Sequence, residues 1–104
     1  MTVICHEDDI EHESSKGFQI GEDSYFAVKK DGVIYLYRNR CPHLGVELNW
    51  QEDKFLDMDN ALIQCSTHGA LFLIEDGECV AGPCQGQSLE AISFDIIDGN
   101  INLK

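Results

Sequence analysis

Basic side chains are scarce in this chain: seven Lys and Arg stand against 19 Asp and Glu, a formal net charge of −12. Nucleic acid is therefore a poor partner, because binding it depends on neutralising phosphates with cations. Long apolar runs are lacking as well, and no stretch approaches the roughly 20 apolar residues of a bilayer-spanning helix. The amino terminus, Met1-Thr2-Val3-Ile4-Cys5-His6-Glu7-Asp8-Asp9, turns acidic at once, with neither a basic nor an apolar region ahead of it. No secretory signal is expected. Apolar stripes at helical spacing are missing too. Residues 8–12 and 46–51 could each make one helical turn, but neither carries a stripe over several turns. There is no serine–histidine–aspartate pattern, no phosphate-cradling glycine loop and no helical histidine–glutamate–histidine zinc motif. No catalytic site of its own is expected.

What is present fits one ordinary globular domain over residues 1–104: hydrophobic residues make up 43% and charged residues 25%. Five cysteines fall below the density of a disulfide scaffold, and their number is odd. Without a signal, a reducing cytoplasmic setting and metal ligation fit them better than a disulfide framework. The acidity accounts for solubility; it also suits docking to a basic protein, where long-range attraction speeds encounter and weakens with salt.

The turn signals repeat. Asp31-Gly32 lies between Tyr25–Lys30 and Val33–Tyr37, Asp76-Gly77 between Leu71–Ile74 and Cys79-Val80, and Asp98-Gly99 between Ile92–Ile97 and Ile101–Leu103. An Asp-Gly pair between β-branched and aromatic residues predicts a hairpin with a type I′ turn, which needs positive φ at both centres. Three of them predict an antiparallel all-β domain. Gly82–Gln87, with two Gly and a Pro, reads as a loop.

Two short clusters carry chemistry. Cys41-Pro42-His43-Leu44-Gly45 follows a strand ending at Arg38, and Cys65-Ser66-Thr67-His68-Gly69 follows the apolar run Ala61–Gln64. Each offers one thiolate and one imidazole and ends in a Gly that permits a sharp turn. Structural zinc usually takes paired Cys knuckles or a His-x3–5-His arm. Mixed Cys-x-His and Cys-x2-His arms suit a binuclear iron centre instead, with the two thiolates on one iron and the two imidazoles on the other.

These two clusters, the second running on through Ala70-Leu71-Phe72, resemble the cluster-binding loops of Rieske proteins. Gly82-Pro83 resembles the family's proline loop and Asp98-Gly99 its closing hairpin, so the resemblance covers nearly the whole chain. It implies an all-β, Rieske-like antiparallel sandwich with a cluster-binding subdomain at about 38–86. It implies a [2Fe–2S] cluster on Cys41, His43, Cys65 and His68. The role it implies is a soluble one-electron carrier, fed by a reductase and discharged by an oxygenase or other acceptor. His43 and His68 would sit at the tip, with Leu44 touching the partner. Reduction beside their rings would raise the imidazole pKa and couple electron to proton uptake. Two alternatives stay open: an accessory subunit like the small nitrite reductase subunit, and a zinc-stabilised binding module.

Departures from the family pattern carry information. The disulfide of respiratory Rieske proteins would fall at Val46 and Thr67 and cannot form here. Their hydroxyls after the second loop would fall at Ala70 and Phe72, which have none. Hydrogen bonds to cluster sulfurs favour the reduced state, so the potential is expected toward the low end of about −150 to +300 mV. The segment between His43 and Cys65 is long for a Rieske ferredoxin. Its Trp50 and Phe55 either line a docking face or fold inward, the latter being the ordinary outcome. Cys5 is expected as a small core residue in an N-terminal strand. Cys79 and Cys84 are not spaced as a redox pair, His6 and His12 read as exposed polar residues, and residues 7–11 read as a solvated acidic face.

Overall fold

The computed structural model describes residues 2–40, 55–57, 61–65, 69–82 and 86–104, without the side chain of Thr2. Nine β-strands and no α-helix are found among them. β1 (Thr2–His6) leads into one 3₁₀ turn at Glu7–Asp9. β2 (Ser14–Ile20), β3 (Asp23–Lys30) and β4 (Val33–Arg38) form one antiparallel sheet in that order. β5 (Leu62–Gln64), β6 (Leu71–Leu73) and β7 (Cys79–Ala81) form a second. β8 (Phe94–Ile97) and β9 (Asn100–Leu103) close the chain, and β9 lies between β1 and β8 in the third sheet. The all-β antiparallel architecture expected from the turn signals is the one observed.

The β2–β3–β4 sheet is apolar on both faces because its two periods are both filled. Phe26, Val28 and Tyr37 point to one side and pack with Phe55, Ile63, Cys65, Ala70, Phe72, Ile74, Cys79 and Leu89. Ala27, Ile34 and Leu36 point to the other and pack with Ile10 and Ile101, flanked by Cys5, Phe18, Tyr25 and Phe94. Side chains alternate across a strand, so neighbours such as Phe26 and Ala27 enter different cores. Burying a phenylalanine of this kind stabilises the fold by roughly 1.5–3 kcal/mol.

Two of the three Asp-Gly pairs make the expected turns. Asp31 and Gly32 have φ of +53° and +77°, and Asp98 and Gly99 have +52° and +81°. Both pairs join strands directly, Lys30 to Val33 and Ile97 to Asn100. Asp76-Gly77 does not. There the loop is Ile74–Gly77, with the Gly77 N–H donating to Leu73 O at 2.8 Å and the Leu73 N–H to Glu78 O at 2.9 Å. Ile74 is buried in the core and so leaves the strand, while Asp76 uses Oδ1 to accept the Glu78 N–H at 2.9 Å. Burial of one side chain and capping by another override the two-residue turn.

Other boundaries shift for similar reasons. The helical turn expected at 8–12 lies at Glu7–Asp9, capped by His6, and Ile10 continues extended with its side chain 2% exposed. Ile92 and Ser93 precede β8 rather than joining it, because the Ile92 N–H donates to Leu36 O at 3.0 Å. β2 carries no strong β-composition, and its turn at Gly21-Glu22 lacks the Asp-Gly signal of the others. Gly21 has φ +62°, the first-position pattern of a type II′ turn. The helical turn considered at 46–51 lies outside the described residues.

Candidate metal centre

Of the four expected ligands, Cys65 is described; Cys41, His43 and His68 lie outside the described residues. Cys65 directly follows β5 and is fully buried in the core shared with Phe26 and Phe72. Its N–H donates to Ala70 O at 2.8 Å, and the Gly69 N–H donates to Cys65 O at 2.9 Å. Those two bonds close a hairpin whose loop is 66–69. Gly69 has φ +68°, and a methyl added to it would meet nothing within 4 Å. The backbone conformation, not crowding, therefore requires glycine there. The next hairpin repeats this design, with Gly77 at φ +76° in the place of Gly69. In the motif Cys-x2-His-Gly, the described ends, Cys65 and Gly69, are therefore tied to each other and to Ala70 by backbone hydrogen bonds.

Two other segments come to the same place. The Gln64 N–H, one residue before Cys65, donates to Phe55 O at 2.9 Å, and Leu56 bridges to Ile63. The chain that left β4 through Arg40 toward Cys41 therefore returns beside Cys65. Phe55 is held there by stacking on Phe26, ring centroids 4.5 Å apart and planes 6° from parallel. Its N–H donates to Ser15 Oγ at 3.3 Å. Phe55 folds inward and is 1% exposed, which removes it from any docking face; Trp50 lies outside the described residues. The third segment follows β7: Gly82 abuts Ala70, and the chain returns where the Cys79 N–H meets Gln87 O at 2.9 Å.

The remaining candidates are placed as follows. Ala70 and Phe72 are fully buried; Val46, Thr67, Leu44, Pro83 and Cys84 lie outside the described residues. Cys79 is a core residue whose Sγ donates to Ala81 O at 3.2 Å. Cys5 is half-buried in β1, and burial, reinforced by Asp9, pushes its thiol pKa up against the opposing effect of Lys16. His6 caps the 3₁₀ turn, its Nδ1 accepting the Asp8 N–H at 3.1 Å. His12, Asp8, Asp9 and Glu11 are exposed. Among the described residues no group of three or more His, Cys, Asp and Glu could hold a metal ion. Nor, among them, is any helix long and apolar enough to cross a membrane. The contacts of Ser15 and Gly82 have no signature in the sequence, since both depend on segments far apart along the chain.

The donor set expected from the sequence, two thiols and two imidazoles on two arms, is of the chemistry that a mixed-ligand [2Fe–2S] cluster takes. The family model for the Rieske [2Fe–2S] domain matches residues 1–97. The cytochrome b6-f complex iron–sulfur subunit of Chlorobaculum thiosulfatiphilum is 38% identical over 69 residues, which span 66% of this chain and 34% of that protein. The ferredoxin component of the alkene monooxygenase system of Xanthobacter autotrophicus is 32% identical over 75 residues, 72% of this chain and 58% of that protein. The chain thus spans less than two thirds of the length of these relatives. Among solved structures, the ferredoxin of carbazole 1,9a-dioxygenase from Nocardioides aromaticivorans superposes with a TM-score of 0.77 at 19% identity, over 98% of this chain and 94% of that one.

Proposed function

The chain belongs to the Rieske [2Fe–2S] domain family, and from that premise we propose that it is a one-electron carrier whose cluster is held by Cys41, His43, Cys65 and His68. When bound, the cluster supplies reversible one-electron chemistry. The protein's part would be to hold the four donors and to keep water from Cys65. The observation that carries this reading is the convergence of three chain segments on Cys65. Its hairpin is pinned by Ala70, flanked by the return of the first arm at Phe55 and abutted by Gly82. Cys65 is fully buried, as a thiolate ligand sealed from solvent should be. The cluster-binding part would span about 38–86.

An upstream reductase and a downstream oxygenase are the partners this reading calls for. Likeness to the ferredoxin components of alkene monooxygenase and carbazole dioxygenase systems supports the oxygenase side. The acidic surface suits partners that present a basic face.

Metal analysis and EPR of the dithionite-reduced protein test the reading. About two irons and two sulfides per chain are expected, with a rhombic signal of average g below that of an all-cysteine cluster. Stoichiometric zinc in a colourless protein that stays EPR-silent after iron–sulfur reconstitution would overturn it.

A further inference from the structure

We propose that Gly82 is a positioning residue for the cluster: its bare backbone packs directly on Ala70, and through Ala70 it fixes the hairpin that presents Cys65. The inference rests on the reading of Cys65 as a ligand.

Gly82 has φ +99°, and a methyl built on it would lie 2.7 Å from Ala70 Cα, 3.1 Å from Ala70 Cβ and 3.3 Å from Ala70 N. These are backbone and near-backbone atoms, which cannot swing aside as the tip of a long side chain can. Ala70 has no room to retreat, being fully buried. Its carbonyl accepts the Cys65 N–H, and its neighbour Gly69 donates back to Cys65 O. On the other flank Leu71 pairs with Ala81, directly before Gly82. Any side chain at 82 must therefore either displace Ala70, loosening the bonds that close the Cys65 hairpin, or push the backbone at 82 itself away from Ala70. Gly86 supplies the comparison. It too has a left-handed backbone, φ +90°, but an added methyl there meets nothing within 4 Å. Backbone strain is common to both positions, and contact with Ala70 belongs to Gly82 alone.

The test compares Gly82→Ala with Gly86→Ala in the cluster-loaded full chain. Three quantities are read: midpoint potential, EPR g-values of the reduced state, and hydrogen exchange at Cys65 by mass spectrometry. Gly82→Ala is expected to move the potential and the g-values. It should also speed exchange at Cys65 about tenfold, the measure of one backbone hydrogen bond. Gly86→Ala should lower stability and leave all three at the parent's values. Should Gly82→Ala fail to accumulate, Ala70→Gly probes the same contact from the other side and should speed the same exchange. Parental potential, g-values and exchange in Gly82→Ala, or equal changes in both glycine variants, would overturn the proposal while leaving the electron-carrier reading intact. A parent protein without iron would instead remove the reading on which the proposal stands.

Discussion

Phe72 is fully buried two residues after Ala70, paired with Ile63 on one side and Cys79 on the other. Neither Ala70 nor Phe72 can donate a hydrogen bond from its side chain. Phe72→Tyr is expected to raise the midpoint potential, since a hydroxyl aimed at the cluster favours the reduced form. A preference of about 1.4 kcal/mol corresponds to about 59 mV for one electron. Protein-film voltammetry reads it, and an unchanged potential at full iron content would show that the hydroxyl does not reach the cluster. Tyr37 already carries a hydroxyl, spent on structure: it donates to Ile74 O at 2.5 Å. Burial, with smaller effects from Asp76, Tyr35 and Glu75, pushes its phenol pKa up to about 12. A raised folded value means the stability is fully present below the unfolded value of about 10 and is lost as pH rises toward 12. Denaturant unfolding of the parent should weaken over that window. Tyr37→Phe should flatten this part of the slope while costing about 1–3 kcal/mol at neutral pH, because Ile74 O loses its donor.

At the scale of elements, the hairpins differ in how much they tolerate. Gly32 and Gly77 both have positive φ, +77° and +76°, but a methyl on Gly77 would lie 2.9 Å from Tyr37 Cε1 whereas one on Gly32 meets nothing. Gly32→Ala should cost about 1–2 kcal/mol for the left-handed conformation alone. Gly77→Ala should cost more, as the added methyl also displaces the Tyr37 ring; paired thermal melts decide this. The same contrast explains what is legible in the sequence. Asp31-Gly32 and Asp98-Gly99 are local turns, and local signals suffice for them. Asp76-Gly77 departs from its local signal because Ile74 is buried in a core whose other members, Phe26, Tyr37 and Phe55 among them, lie far away along the chain. The strand Ser14–Ile20 is silent in the sequence because pairing with β3, not its own composition, makes it a strand. For the metal centre, Cys65 and Gly69 are legible from spacing. The seat of Phe55 on Ser15 and of Gly82 on Ala70 are not, because each joins segments with no shared pattern.

On the scale of the whole molecule, a net charge of −12 should dominate encounter. Electron transfer to a small cationic inorganic oxidant is expected to slow as salt rises. Transfer to an anionic oxidant of matched driving force should quicken, because the Debye length falls from about 30 Å at 0.01 M to about 10 Å at 0.1 M salt. Stopped-flow rates across that range check it, and salt-independent rates for both would mean that the site of electron transfer is shielded from the global charge. Within the molecule, the β3–β4 ribbon gives Phe26, Val28 and Tyr37 to one core and Ala27, Ile34 and Leu36 to the other. Neither core has a wall of its own on that side. Loosening the half around Cys65 strips a wall from the half around Ile101, and the reverse. The two should therefore melt together rather than in sequence. Loss of the cluster would then be felt in the β1–β9–β8 sheet, which carries none of the proposed ligands, so exchange rates near the chain termini should report whether the protein is loaded.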